Sequence, residues 1–205
     1  MSQNDSWWTI LIALDLGTAS LTSCWLLARD TMDADGNLHR RCKGEGKLVQ
    51  NWAASGVNNT LGNPCFPTTL VYHRGTRKLL YSGFEAQRYI AGQYPNPHPD
   101  TVYTIKYPKL LFVDTEHQDI APEALTRYKK SREELKEVLG KDPADVFEDL
   151  LTSVLTNVLT QVKRYAMTDI EGSCIELVPS LPPGFVERYP NFILACNKHI
   201  ASNTC

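Results

Sequence analysis

The segment Asp15-Leu16-Gly17-Thr18-Ala19-Ser20 contains residue types whose spacing could bind a phosphate group. The carboxylate of an aspartate at the end of a strand can hold a hydrated magnesium ion through water. Gly17 lets a phosphate approach the backbone closely, because it has no side chain. The hydroxyls of Thr18 and Ser20 add donors, and consecutive N–H groups of a turn form a small anion-binding nest. By itself, the short motif is equally typical of a β-turn with a polar cap and no ligand.

Two apolar runs flank this segment and predict how it is positioned. Trp8 to Leu14 predicts a buried strand, because a short apolar run is followed at once by a turn signal. Leu21 to Leu27 then resumes the apolar pattern. The two runs predict a β-hairpin with the candidate phosphate-binding segment at its tip.

The rest of the chain alternates between strand and helix patterns. Residues 29–46 are polar and rich in Asp and Gly, which predicts a loop. Further strands are predicted at Lys47–Trp52, Phe66–Tyr72 and Lys78–Tyr81, with a short buried strand at Cys174–Val178, and helices at Gly83–Ala91, Pro122–Leu139, 142–167 and Phe185–Ala201. Asp142 followed by Pro143 is a strong helix start. This order predicts an α/β fold whose first strands are antiparallel.

Charge and composition argue against several classes of protein. The 205 residues carry a net charge of −2, so a nucleic-acid partner is not expected. The apolar run from Trp7 to Leu14 is too short for a signal peptide or a membrane span, so we expect no membrane partner and a cytoplasmic protein. The six cysteines lack C-x-x-C spacing, which predicts reduced and mostly buried thiols. The five histidines show no zinc-binding spacing.

Five segments, in the same order, resemble the actin-like ATPase superfamily, and within it the divergent seventy-kilodalton heat-shock-protein-like ATPases of fungi. Ile12 to Ser20 resembles the first phosphate motif of that superfamily. The other segments are Phe66 to Tyr72, similar to a Pro-Ser strand; Gly83 to Ala86, similar to a Gly-aromatic-x-Ala element; Lys109 to Asp114, similar to a Lys-Leu-Leu-Leu-Asp stretch; and Glu148 to Leu151 with Val178 to Pro183, similar to a long helix and a Val-Pro-Ala segment. The resemblance extends over nearly the whole chain.

The resemblance implies a ligand and a role for each residue of the hairpin. ATP and Mg²⁺ would be the cofactors. The residues that would bind the β- and γ-phosphates are Gly17, Thr18, Ala19 and Ser20. Asp15 would lie near the metal and hold it through water. Ala19 stands where the heat-shock proteins usually carry a second threonine, so one hydroxyl is lost while the backbone N–H remains.

A lysine completes the implied catalytic set. Lys109 falls where the family places a phosphate-facing lysine, which together with Asp15 would act on the transferring phosphoryl group. Lys106 is a rival for this position in the alignment, and a solvated surface lysine is the alternative interpretation of Lys109.

The resemblance also implies the domain organisation and the function. The chain would be the first lobe of an actin-like, ribonuclease H-like ATPase fold. It would comprise a hairpin with core strands (7–52), an inserted subdomain (66–140) and a core helix, strand and helix (141–205). The expected function is an ATP- or ADP-binding, chaperone-like lobe with client or co-chaperone partners. The family's second phosphate loop and adenosine motif have no counterpart in the sequence, so we expect a truncated lobe with negligible hydrolysis of its own.

Two alternative functions remain at the level of sequence. The first is a non-catalytic fragment that binds a partner protein. The second is the N-terminal part of a sugar or metabolite kinase, because kinases of this superfamily also open with Asp-x-Gly-Thr. The Pro-Thr-Thr strand at Pro67 and the Lys-Leu-Leu segment at Lys109 favour the heat-shock branch.

Overall fold

The computed structural model describes residues 6–50, 52, 64–93, 98–112, 121–165 and 173–180. The strands in this part of the chain are β1 (Ser6–Leu16), β2 (Ser20–Met32), β3 (Leu38–Leu48), β4 (Cys65–Pro67), β5 (Leu70–His73), β6 (Leu79–Ser82), β7 (Val102–Ile105) and β8 (Cys174–Ser180). The α-helices are α1 (Gly83–Ile90), α2 (Pro122–Leu139) and α3 (Pro143–Tyr165). Two short 3₁₀ helices occupy Pro99–Thr101 and Pro108–Phe112.

The strands form two sheets. The larger sheet has the order β3-β2-β1-β8, with β4 also paired to β2. Strands β1 and β2 are antiparallel, whereas β8 runs parallel to β1. The smaller sheet is antiparallel, with the order β6-β5-β7. The predicted fold class, an α/β fold with a mixed sheet that opens with a β-hairpin, is therefore confirmed.

Helix α3 supplies much of the core. Its sequence places apolar residues at three- and four-residue steps, and one face of the helix is buried along its whole length. That face belongs to the same buried cluster as the alternate residues of β1, namely Ile10, Ile12, Leu14 and Leu16. The alternation of β1 therefore directs every second side chain to the helix and leaves Asp15 on the other face.

Several predicted elements are confirmed with close boundaries. Helix α2 runs from Pro122 to Leu139, as predicted. Asp142 caps α3, because its Oδ1 accepts hydrogen bonds from the N–H groups of Ala144 and Asp145 at 2.7 and 3.0 Å. The predicted buried strand at 174–178 is observed as β8. The predicted helix at 185–201 and residues 166 and 167 lie outside the described residues.

The predicted loop at 29–46 is wrong. Strand β2 continues to Met32, and β3 occupies Leu38–Leu48, so the predicted strand at 47–52 overlaps β3 only at its end. The polar composition misled the prediction, because β3 lies at the end of the sheet order and all eleven of its residues are exposed. Two of its cations pack on tryptophan rings: Lys43 lies 5.3 Å from the ring of Trp8, and Lys47 lies 5.4 Å from that of Trp25.

The burial predicted for the cysteines and for β8 is also wrong in part. Cys24, Cys42, Cys65 and Cys174 carry reduced thiols that form no disulfide, as predicted, but two of these residues are exposed and two are half-buried. Strand β8 is covered on one face only, because Val178 on the other face is 56% exposed. Among the described helices, none is both long and apolar enough to cross a membrane.

A polar cluster joins the strands on the face opposite α3. The guanidinium of Arg40 binds both carboxylate oxygens of buried Asp30 at 2.8 Å, and its Nη1 lies 2.8 Å from Oε2 of Glu176 on β8. The hydroxyl of Thr9 donates to Asp30 at 2.7 Å. Chiefly because Arg40 hydrogen-bonds to the carboxylate, the pKa of Asp30 is lowered. The cluster therefore connects β1, β2, β3 and β8.

Candidate phosphate-binding site

The hairpin tip comprises the four residues from Gly17 to Ser20, of which Ser20 is also the first residue of β2. Leu16 and Leu21 form the last strand pair before it. A Cβ at position 17 would lie 2.8 Å from the carbonyl oxygen of Ser20, closer than side chains come to backbone atoms, so the loop requires glycine here. Thr18 and Ala19 are exposed at the tip, and Gly17 and Ser20 are half-buried. All four predicted phosphate-binding residues therefore lie in one tight and accessible loop.

Thr68 holds this loop from behind. Its N–H donates to the carbonyl of Ala19 at 3.1 Å, and its hydroxyl donates to the carbonyl of Thr18 at 3.1 Å. Thr68 is fully buried. In a trans peptide the C=O of one residue and the N–H of the next point in opposite directions. The N–H groups of Ala19 and Ser20 are therefore directed away from Thr68.

Lys109 reaches the same hairpin from the 3₁₀ helix Pro108–Phe112. Its Nζ donates to the carbonyl of Leu16 at 2.8 Å, across a separation of 93 residues in sequence. Lys106, its rival in the sequence comparison, has an exposed side chain and approaches the site through its backbone, because its carbonyl lies 3.5 Å from the Thr68 hydroxyl. The structure thus places the side chain of Lys109 at the hairpin, while its action on a phosphate stays a prediction.

Asp15 lies at the exposed end of β1, beside a cleft of about 370 Å³. Its strand neighbours are Thr22 on β2 and Ser180 on β8. The residues that line the cleft come from β1, β2, β3 and β8: Ala13, Leu14, Asp15, Thr22, Ser23, Cys24, Leu48, Val178 and Ser180. Because β1 and β8 are parallel, their carboxyl ends meet at one edge of the sheet, where ligands bind in open α/β sheets.

Thr68 and Ser180 are site residues that the sequence did not reveal. Thr68 lies in a segment for which the sequence predicts only an extended conformation. A threonine directly after Pro67 and before a buried strand nevertheless has a hydroxyl that needs a partner. The position of Ser180 depends on the register of β8 against β1, which pairs it with Asp15. A hairpin, then a long helix, then a strand predicts a parallel pairing, and that was the available signal.

A multidentate metal centre is not present in the described residues, because no three His, Cys, Asp or Glu side chains there are grouped to hold an ion. Asp15 is the one carboxylate in the lining of the cleft as described. A magnesium ion at this position would therefore keep most of its water ligands, as Mg²⁺ commonly does when phosphates supply the rest.

Comparison with known proteins gives weak similarities. No protein-family model and no curated protein sequence matches the chain. Among solved structures, the chain is similar to MreB5 of Spiroplasma citri bound to AMPPNP, with 17% identity and a TM-score of 0.37 over 92% of this chain. It is also similar to MreB5 of Spiroplasma citri bound to ADP, with 15% identity and a TM-score of 0.40 over 93% of this chain. The chain spans about a third of these two proteins, 36% and 35% of their lengths.

Proposed function

We propose that the chain is a nucleotide-binding lobe of an actin-like ATPase, in which the hairpin tip binds the β- and γ-phosphates of ATP. The observation that carries the proposal is that two residues distant in sequence contact the same hairpin, at its tip and at the adjoining end of β1. Thr68 binds the carbonyls of Thr18 and Ala19, and Lys109 binds that of Leu16. Three of the five segments that resemble the ATPase family in sequence are thus in contact: those that contain the hairpin tip, Thr68 and Lys109.

The loop has the chemistry that phosphate oxygens require. The N–H groups of Ala19 and Ser20 are directed away from Thr68. The tip also carries the hydroxyls of Thr18 and Ser20, and the ammonium group of Lys109 binds the carbonyl of Leu16 next to it. Hydrogen bonds to a charged group contribute about 1.5–3 kcal/mol each. Contacts to the phosphates alone leave the rest of a nucleotide in water, so we expect a Kd on the order of 0.1–1 mM for this chain.

The cleft beside Asp15 fits a hydrated magnesium ion bound to phosphates. Asp15 is exposed, and the hydroxyls of its neighbours Thr22 and Ser180 line the same cleft. Magnesium would neutralise phosphate charge in this position. The carboxylate of Asp15 would hold a metal-bound water, and Ser180 would hydrogen-bond to a second water or to a phosphate oxygen.

Titration with a fluorescent ATP analogue, with and without magnesium, tests the proposal. In magnesium, Asp15→Asn should weaken binding about three- to tenfold, because a charge-assisted hydrogen bond to a metal-bound water is lost. In EDTA the same variant should bind as well as the parent or better, because a carboxylate that repels the phosphates has been removed. Asp35→Asn, an exposed aspartate in the turn between β2 and β3, is the matched control and should change neither value.

Two results would contradict the proposal. One is the absence of nucleotide binding at millimolar concentration by a chain whose circular dichroism shows it to be folded. The other is binding that Asp15→Asn and Asp35→Asn alter equally, since a non-specific ionic contact would not distinguish them. A chain that is folded but inert would support the alternative of a partner-binding fragment.

We further propose a chaperone role for the chain, because the segments that resemble heat-shock-protein-like ATPases occur in the same order as in that family. Suppression of aggregation of a thermally unfolded model protein would test it. We expect suppression to depend on ATP and on Asp15. Suppression of aggregation that depends on neither ATP nor Asp15 would show that this activity does not require the phosphate site.

A further inference from the structure

A second cavity, of about 350 Å³, has none of the hairpin-tip residues in its lining. Its walls are β7 with the two residues that follow it, the 3₁₀ helix Pro108–Phe112, and α2 between Ala124 and Leu135. Buried Ile105, Leu111 and Leu135 form its apolar floor. It shares none of its lining residues with the cleft beside Asp15. Its size is near the lower end of small-molecule sites, which suits a ligand of one or two rings.

The polar groups of this cavity are rich in hydrogen-bond donors. Three tyrosines, two cations and two hydroxyl residues contribute to its lining: Tyr103, Tyr107, Tyr128, Lys106, Arg127, Thr104 and Ser131. No carboxylate belongs to the lining formed by the described residues. Burial, followed by the nearby carboxylate of Glu134, raises the pKa of the Tyr103 phenol, so this group remains a neutral donor.

Apolar and charged groups are separated within the cavity. The side chains of Lys106 and Arg127 are exposed, and Tyr107 is 50% exposed, whereas the floor residues are at most 8% exposed. A ligand would therefore place an apolar body on the floor and an anionic group toward the mouth. Tyrosine rings in the wall favour a flat, aromatic body, because offset or edge contacts between rings add to the burial of area.

We propose that this cavity binds a small aromatic carboxylate. The ring system packs on Ile105, Leu111 and Leu135, and the carboxylate pairs with Arg127 and Lys106 at the mouth. The proposal does not depend on nucleotide binding, because the lining of the cavity excludes every residue of the hairpin tip.

Titration with 1-naphthoate, followed by ligand-observed NMR or calorimetry, tests this site. Arg127→Gln removes one cation from an exposed position on α2, and we expect it to weaken 1-naphthoate binding about two- to fivefold. The neutral analogue 1-naphthalenemethanol should bind Arg127→Gln and the parent equally. Lys129→Gln is the matched control, because Lys129 is exposed on the same helix but does not line the cavity.

A second variant tests the location of the ligand without changing charge. Ala124→Trp adds a large ring at a half-buried lining position and should abolish binding of both naphthalene compounds. Unchanged binding in a folded Ala124→Trp variant would overturn the proposal. Equal losses in Arg127→Gln and Lys129→Gln would overturn it as well, because they would indicate general attraction of the anion to a basic helix.

Discussion

Thr68 gives the sharpest quantitative test of how the hairpin tip is held. Thr68→Val keeps the shape of the side chain but removes the hydroxyl that donates to the Thr18 carbonyl at 3.1 Å. The N–H of residue 68 still reaches Ala19, so one of the two hydrogen bonds survives. Because Thr18 is exposed and water can reach its carbonyl, we expect the loss of an ordinary hydrogen bond, about 0.5–1.5 kcal/mol. In a domain of this size, that corresponds to a fall in Tm of roughly 1–6 °C.

Thr68→Ser provides the control, because it retains the hydroxyl and loses one methyl group. Loss of that methyl costs about 0.8 kcal/mol, so Thr68→Ser should also be less stable than the parent. The two variants should differ in binding. Thr68→Val should weaken binding of the fluorescent ATP analogue severalfold and speed hydrogen exchange at the Ala19 and Ser20 amides. Thr68→Ser should leave the affinity and the exchange rates near the parent values. Equal binding and exchange in the two variants would refute the argument that the hydroxyl positions the loop.

Three further predictions concern other contacts. The carboxylate of Asp30 has a lowered pKa in the folded chain, so the stability it contributes is complete above its ordinary value of about 3.9 and is lost as the pH falls through the lowered value. The difference in Tm between the parent and Asp30→Asn should therefore be constant near neutral pH and shrink in acid, and a difference that grew in acid would contradict the pairing with Arg40. Gly83→Ala should cost about 2–5 kcal/mol in urea unfolding, because Gly83 has a φ of +57° and a Cβ there would overlap the ring of Phe66; a cost under about 1 kcal/mol would refute this. Lys109→Met should weaken the binding of ATP more than the binding of adenosine in the titration. Equal losses of affinity for the two ligands would place the lysine outside the phosphate site.

The sequence predicted the parts of the fold that depend on local chemistry. The hairpin follows from two apolar runs around Gly17, and the start of α3 follows from a capping Asp142 before a proline. Strand β3 was missed because exposure removes the hydrophobic pattern on which strand prediction depends. Its bulge also contains Gly44 at a φ of +79°, which resembles a turn in sequence.

The candidate site was predicted as a list of residues rather than as an arrangement. The tip residues are contiguous, so their proximity was certain. The contact of Lys109 with Leu16 required a resemblance to suggest it, because no local pattern relates residues 93 apart. Thr68 and Ser180 depend on tertiary contacts and strand register, which one sequence without relatives does not encode in a visible form.

The 3₁₀ helix Pro108–Phe112 has a thermodynamic consequence. Leu110 and Leu111 line the 350 Å³ cavity, while Lys109, between them and Pro108, holds the hairpin through Leu16. One short element is therefore a wall of one candidate site and a support of the other. Should an occupant of the cavity shift the affinity of the hairpin for phosphate by some factor, phosphate must shift the affinity of the cavity by the same factor. The sign of that coupling can be measured with either ligand, by titrating 1-naphthoate with and without ATP present or by titrating ATP with and without 1-naphthoate present.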